Sequence, residues 1–270
     1  MNNVIVQPIR RSAPIMGSVA SVHVHDDLSG AMSSDVIDSV IAEVFAELEV
    51  YENMFSTFRA ESEISRINRN ELHVLDASQE VVDVLDACFF LEGASDGAFS
   101  AHRTDGLFDP AGFVKGWAVE RVSRRFDTAG LKYWYISLGG DMQMGDPPPH
   151  SHLQDGWKVG IANPLRPGEV SAALSMQRGA VATSGTSERG RHLVDPRNGH
   201  TSDYWSSVTV TGPSLTWADA FATTACVIGE SGLEWVHRFE GYAALGVRPN
   251  GTLVTVPRSD VLLRENVTQY

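Results

Sequence analysis

The feature that most constrains this fold is a long run of apolar residues at helical spacing near the N-terminus. Between residues 36 and 55 the apolar side chains recur at three- and four-residue steps: Val36, Ile37, Val40, Ile41, Val44, Phe45, Leu48, Tyr51 and Phe55. A stripe this broad predicts one amphipathic helix, capped at Ser34. Such a helix is stable only when another layer of the protein covers its apolar face.

The middle of the chain is rich in short β-type runs, which can supply that layer. Strands are predicted at residues 19–24, 133–138, 157–161, 170–176, 180–183, 208–211, 242–247 and 252–256. Further helices are predicted at about 79–91, after the loop that begins at Asp109, and at 217–228 and 232–239. Helices therefore lead and trail a strand-rich middle. The pattern predicts an α+β fold in a single domain covering residues 1–270.

Charge and cysteine content narrow the function classes. The 270 residues carry 34 acidic and 21 basic side chains, for a net charge of −13. This balance disfavours binding to nucleic acid or to an anionic membrane surface, and an anionic small molecule would need a local positive site or a metal. Cys88 and Cys226 are expected to be buried free thiols. With no signal-type apolar segment, no N-terminal cysteine to carry a lipid and no membrane-length apolar run, we expect a cytoplasmic protein without membrane insertion.

Two glycine-rich polar stretches are candidate anion sites. In residues 109–116, Lys115 follows a Pro/Gly turn near the start of a helix, where it either binds an anion or is simply solvated. In residues 182–199, small hydroxyl residues and glycines accompany Arg189, Arg191 and His192. The basic side chains suit a phosphate, whereas residues 195–199 on their own also fit a plain turn.

A third stretch, residues 218–223, contains a candidate metal site. Asp219 and Thr223 are four residues apart, so a helix places both side chains on one face. The predicted helix start puts Asp219 in the first turn, where a carboxylate stabilises the helix dipole. Alternatively, the carboxylate, the hydroxyl and nearby carbonyl oxygens hold a hard cation such as Mg²⁺.

These stretches, taken in order, form a specific pattern. The set consists of Met16-Gly17, residues 55–68, residues 97–99, Asp109 with residues 115–120, residues 139–141, 182–185, 192–199 and 218–223. In this order and over nearly the whole chain they resemble the ApbE family of FAD:protein FMN transferases. The resemblance implies a T-fold-like domain with helices packed on a mostly antiparallel sheet.

The resemblance also implies a reaction and the residues that perform it. Members of the family move the FMN half of FAD onto a threonine hydroxyl of an acceptor flavoprotein, with Mg²⁺, and release AMP. Asp219 and Thr223 match metal ligands, assisted by backbone oxygens near Gly112 and Ala222, and His192 matches the general base. The positions that match the FAD site are Met16, Phe58, Ala98, Phe99, Asp109, Lys115 and Leu193.

Some positions depart from the family pattern. Phe58 replaces the usual tyrosine, Glu120 replaces an aspartate, and the loop over residues 100–108 is short. The sequence leaves two alternatives open: a Mg²⁺-dependent FAD pyrophosphatase that uses water as the acceptor, and a carrier that binds FAD without chemistry. It makes no prediction of the acceptor's identity or of the oligomeric state.

Overall fold

The structure, a computed structural model, describes residues 8–25, 32–103, 105–149, 153, 155–185 and 193–256. Its strands are β1 (Ile9–Ile15), β2 (Ser18–Val24), β3 (Trp134–Leu138), β4 (Asp141–Met144), β5 (Trp157–Ala162), β6 (Val170–Met176), β7 (Gly179–Gly185), β8 (Ser207–Gly212), β9 (Ala243–Val247) and β10 (Leu253–Val256). Its helices are α1 (Ser34–Phe55), α2 (Glu63–Asn68), α3 (Gln79–Ala94), α4 (Ala111–Thr128), α5 (Leu215–Ile228) and α6 (Gly232–His237), with a short 3₁₀ turn at Val74–Asp76.

Eight strands form one sheet, in the order β1-β2-β3-β4-β7-β8-β9-β10. Every neighbouring pair in this sheet is antiparallel. The helices pack on one face of the sheet, and their apolar residues join those of β2, β3, β7 and β8 in the main core. The predicted α+β architecture with a mostly antiparallel sheet is therefore confirmed.

The strand pair β5–β6 covers part of the opposite face. Because side chains alternate along a strand, Val181 on β7 and Leu245 on β9 point away from the helices. They pack with Trp157 and Ile161 of β5 in a second, smaller core. The sheet is thus buried on both faces near its centre.

The predicted long helix is α1, whose apolar stripe faces the core. Ile37, Ile41, Val44 and Leu48 are buried, as the spacing requires. The N-cap is Ser33 rather than Ser34, so the helix begins one residue earlier than predicted. The helix packs against α4 and β1.

Two strands and a short helix were not predicted from the sequence. β1 lies at the sheet edge with most of its side chains exposed, and so it lacks the alternation that marks a half-buried strand. β4 has only four residues. α2 lies in the polar stretch after α1, where Ser62 accepts a hydrogen bond from Ser65 N–H at 3.0 Å and so caps the helix.

Both cysteines are buried free thiols, as predicted. Burial raises the pKa of Cys88 and of Cys226 to about 12, so neither is a thiolate near neutral pH. Among the described residues, no helix combines the length and the apolar character needed to cross a membrane.

Helices α4 and α5 make a close contact at Gly116. A Cβ built on this glycine would lie 2.6 Å from the carbonyl oxygen of Leu215 and 2.9 Å from Cβ of Asp219. Real side chains do not approach backbone atoms this closely, so a glycine at position 116 is required by packing.

We expect Gly116→Ala to lower the free energy of unfolding by about 1–3 kcal/mol, because the added methyl group pushes α4 away from α5. Gly93→Ala is the matched control: Gly93 is an exposed helical glycine with open space around it. That substitution should raise stability by about 0.5–1 kcal/mol through backbone entropy. Urea unfolding of both variants measures the difference, and equal changes would contradict the packing interpretation.

Candidate active site

A cavity of about 820 Å³ opens where α1, α4, α5 and the end of β7 meet. It is lined by most of the residues predicted from the sequence: Met16, Phe58, Asp109, Gly112, Lys115, Leu193, Asp219 and Thr223. These residues come from five separate stretches of the chain, and the fold places them around one space. Its volume is typical of small-molecule and cofactor sites.

Met16 reaches the cavity from an unusual turn. Met16 and Gly17 form the two-residue connection between β1 and β2, and both have positive φ, +52° and +65°. A type I′ hairpin turn requires this conformation, which glycine and asparagine adopt far more readily than methionine. The Met16 N–H donates to Glu52 Oε2 at 3.1 Å, so α1 holds the turn in place. Glu52 itself lines the cavity but carries no local sequence signal, because its contact spans 36 residues.

An exposed aromatic ring stands at the edge of the cavity. Phe58 is 88% exposed, the largest exposed fraction among the large apolar side chains of the described residues. Tyr51 and Phe55, which also line the cavity, are buried against Trp117 in edge-to-face contacts. The Phe58 ring is therefore exposed to contact a flat ligand, while Tyr51 and Phe55 are fixed by packing.

The floor of the cavity holds one ammonium group between two buried carboxylates. The Lys115 Nζ forms an ion pair with Asp141 Oδ2 and lies 3.7 Å from Asp219 Oδ1. Asp141 is 1% exposed and Asp219 is 4% exposed. Asp219 Oδ2 also accepts a hydrogen bond from the Gly116 N–H at 3.1 Å. Lys115 is thus paired rather than simply solvated.

The charge of Asp219 is costly in this environment. Burial raises the pKa of its carboxyl well above the usual range, the Lys115 ammonium opposes that rise, and the charge of Asp141 adds to it. Two carboxylates share one lysine, so the cluster carries a formal charge of −1 when both are ionised. An added cation would stabilise the ionised form.

Asp219 does not lie in the first turn of its helix, contrary to the sequence prediction. α5 begins at Leu215, two residues before the predicted start, and its first turn contains no acidic residue. The helix-dipole explanation for Asp219 is therefore wrong. The backbone around the start of α5 is held by other side chains.

Glu120 and Gln143 hold the first turn of α5. Glu120 Oε2 accepts hydrogen bonds from Thr216 N–H at 3.0 Å, Thr216 Oγ1 at 2.6 Å and Ser214 Oγ at 2.5 Å. Gln143 Oε1 accepts from Leu215 N–H at 3.0 Å. The N-cap Ser214 also accepts a hydrogen bond from the Trp217 N–H at 3.5 Å, so it is a local signal of the helix start that the sequence prediction missed.

Asp219 and Thr223 do share one face of α5, and both face the cavity. The Thr223 hydroxyl forms a hydrogen bond with Ser184 Oγ at 2.8 Å. In the part of the chain that the structure describes, no three His, Cys, Asp or Glu side chains cluster as metal ligands, so a cation here would depend on other oxygen donors as well. The donors at this point are one carboxylate and hydroxyl oxygens, a set that fits Mg²⁺, because Mg²⁺ keeps waters and takes further oxygens from substrate phosphates.

Three predicted residues are buried and are not among the described residues that line the cavity. Ala98 and Phe99 are both buried, and the Phe99 ring lies 3.5 Å from the position that a Cβ on Gly112 would occupy. Ala222 is fully buried in α5. Their side chains support the wall of the cavity rather than facing it.

The stretch after the cavity residue Leu193 is a turn. Asp195 accepts hydrogen bonds from the Arg197 N–H at 2.9 Å and from its guanidinium at 2.8 and 2.7 Å. This pairing lowers the pKa of Asp195. The predicted base His192, together with Arg189 and Arg191, lies outside the described residues.

Removal of the Glu120 carboxylate should loosen the start of α5. We expect Glu120→Ala to lower the free energy of unfolding by about 1–3 kcal/mol, because it leaves the Thr216 donors without their acceptor. Glu49→Ala is the control, since Glu49 is exposed on α1. Guanidinium unfolding compares the two variants, and a loss no larger for Glu120→Ala than for Glu49→Ala would contradict the capping role.

Sequence comparison finds a consistent set of relatives. FAD:protein FMN transferase from Rhodobacter capsulatus is 28% identical over 159 residues, 55% of this chain and 29% of the relative. The protein of that name from Salmonella typhimurium is 26% identical over 153 residues, 51% of this chain and 41% of the relative. The chain therefore matches less than half the length of these curated relatives. A third relative, the FAD:protein FMN transferase from Vibrio cholerae, is 22% identical over 284 aligned residues. The match covers 83% of this chain and 82% of that relative.

Comparison with solved structures shows the same fold. The flavin transferase ApbE from Vibrio cholerae superimposes with a TM-score of 0.77 at 20% identity, covering 92% of this chain and 96% of that one. The ApbE protein from Thermotoga maritima gives a TM-score of 0.78 at 19% identity with the same coverage. The family model described as the ApbE family matches residues 16–105 and 102–245. Because that match spans most of the sequence, the chain belongs to the ApbE family.

Proposed function

We propose that this protein transfers FMN from FAD to a threonine hydroxyl of an acceptor flavoprotein, in a Mg²⁺-dependent reaction that releases AMP. The observation that carries the proposal is the lining of the cavity, where Lys115 lies 3.7 Å from Asp219 and where Thr223 and the exposed ring of Phe58 also line the space. One space thus offers a cation, oxygen ligands and an aromatic surface. The names of the relatives, FAD:protein FMN transferase, support the same reaction.

We propose one orientation for FAD in this cavity. The pyrophosphate is the charged part of the ligand, and in a protein of net charge −13 it needs a local positive group, which Lys115 supplies. The first turn of α4 also faces the cavity through Gly112, and a helix N-terminus favours an anion. The flavin ring would then lie against Phe58 and Met16, which line the same cavity.

The residues fit a magnesium ion, and Asp219 and Thr223 would hold it. When bound there, Mg²⁺ would neutralise the negative charge of the pyrophosphate, which otherwise repels the nucleophile. Asp219 is fixed for this role, because the Gly116 N–H holds one of its two carboxylate oxygens. The other oxygen, Oδ1, lies 3.7 Å from the Lys115 Nζ.

The transfer step is a displacement at phosphorus. The threonine oxygen of the acceptor forms a bond to the phosphorus of the FMN half, and the bond from that phosphorus to the oxygen of AMP breaks. The hydroxyl proton passes to a base, for which we propose His192; general base catalysis contributes about 10²–10⁴-fold. Lys115 stabilises the negative charge that remains on AMP.

Intact-mass analysis tests the reaction. An acceptor domain that carries the family's target threonine motif is incubated with the protein, FAD and Mg²⁺. We expect a mass increase equal to FMN less water, which a chelator abolishes and which Asp219→Asn removes, because the variant lacks the charged ligand. Asp86→Asn, an exposed substitution on α3, is the matched control and should transfer normally.

The other outcomes identify the alternatives. Release of AMP and free FMN without labelling of the acceptor would indicate an FAD pyrophosphatase instead of a transferase. FAD that stays bound and intact with every acceptor tested would indicate a carrier. Labelling that continues unchanged in Asp219→Asn would contradict the metal assignment alone.

A further inference from the structure

We propose that Asp141 is a positioning residue, which holds the Lys115 ammonium away from Asp219 so that the Asp219 carboxylate stays available to a divalent cation. Asp141 is absent from the set of site residues that the sequence predicted. The inference rests on the proposed function, because it concerns the cation site of that reaction.

Lys115 is placed between the two carboxylates but is not shared equally. Its ammonium contacts Asp141 Oδ2 directly, whereas Asp219 Oδ1 is 3.7 Å away. The side chain of Lys115 is 27% exposed and ends at the cavity wall. A lysine has a flexible four-carbon stem, so its ammonium follows the stronger partner.

Asp141 is built as a fixed anchor. It is the first residue of β4 and follows Gly139 and Gly140, whose φ angles are +62° and +98°. Its other oxygen, Oδ1, accepts a hydrogen bond from the Thr183 N–H of β7 at 2.9 Å. Asp141 is almost fully buried and does not line the cavity. Its carboxylate therefore touches Lys115 from behind and leaves the cavity open.

The charges explain what this anchor does. With both carboxylates ionised, the cluster has one negative charge in excess, which a cation at Asp219 can offset. Without the charge of Asp141, Lys115 and Asp219 would form a neutral buried pair, and the ammonium would compete with the incoming cation for the same carboxylate. Asp141 removes that competition while leaving Lys115 near the site for the phosphate.

Manganese binding by the full chain tests the inference without any turnover. Mn²⁺ alone is titrated in the absence of FAD, with calorimetry and with the electron paramagnetic resonance signal of free Mn²⁺. Asp141→Asn keeps the shape of the side chain and an acceptor for the Thr183 N–H, but removes the charge. We expect its Mn²⁺ affinity to fall by about ten- to a hundredfold, the range for residues that orient metal ligands.

A second substitution distinguishes positioning from a general structural effect. In the double variant Asp141→Asn/Lys115→Met, the competing ammonium is gone, so Mn²⁺ affinity should return toward that of the unmodified protein. Asp141→Glu keeps the negative charge and should bind Mn²⁺ more tightly than Asp141→Asn does. Thermal unfolding of each variant checks that the chain is folded. If Asp141→Asn does not fold, the comparison uses Asp141→Glu, which retains the charge.

The results that would overturn the inference differ from those that would overturn the proposed function. Equal Mn²⁺ affinity in Asp141→Asn and the unmodified protein would refute the role of Asp141. A loss that Lys115→Met does not restore, or an Asp141→Glu variant no better than Asp141→Asn, would also refute it. If the unmodified protein binds no Mn²⁺, or if Asp219→Asn binds Mn²⁺ equally well, the metal site of the proposed function is refuted instead.

Discussion

The close contact between α4 and α5 is the constraint on which the candidate site depends. At Gly116 the two helices approach so closely that even a methyl group would not fit. The same residue donates its N–H to Asp219, and the residue before it, Lys115, brings an ammonium to that carboxylate. One turn further along α4, Glu120 holds the first turn of α5. A single stretch of α4 thus fixes both the position and the charge of the helix that carries Asp219 and Thr223.

The electrostatics of the site follow from its burial. Taking Asp141, Asp219 and Lys115 out of water is costly, and an apolar cluster of the same volume would serve stability at least as well. Retaining an excess negative charge in a buried cluster is understandable when a cation binds there. The site then combines this cation with Lys115, so that an otherwise acidic protein can accept a pyrophosphate.

Local patterns predicted most of the elements, and contacts between distant residues account for what they missed. The apolar stripe of α1 and the alternation of β2 are properties of neighbouring residues, and both elements lie where predicted. The start of α5 was misplaced because the local N-cap Ser214 was overlooked and because Glu120 and Gln143, more than 70 residues away, hold the first turn. Glu52 enters the site through a contact that spans 36 residues, so no local pattern marked it. Asp141 belongs to the 139–141 motif, but no role in the site was predicted for it. The role of His192 and the cytoplasmic location stay predictions.

The most direct test of the site is anomalous diffraction from crystals of the protein grown with Mn²⁺ and FAD. We predict one strong anomalous peak in the cavity, within bonding distance of the Asp219 carboxylate and the Thr223 hydroxyl, with the pyrophosphate of FAD between the metal and Lys115. An FAD molecule bound in the cavity with no metal at Asp219, or a peak at another place in the protein, would contradict the account.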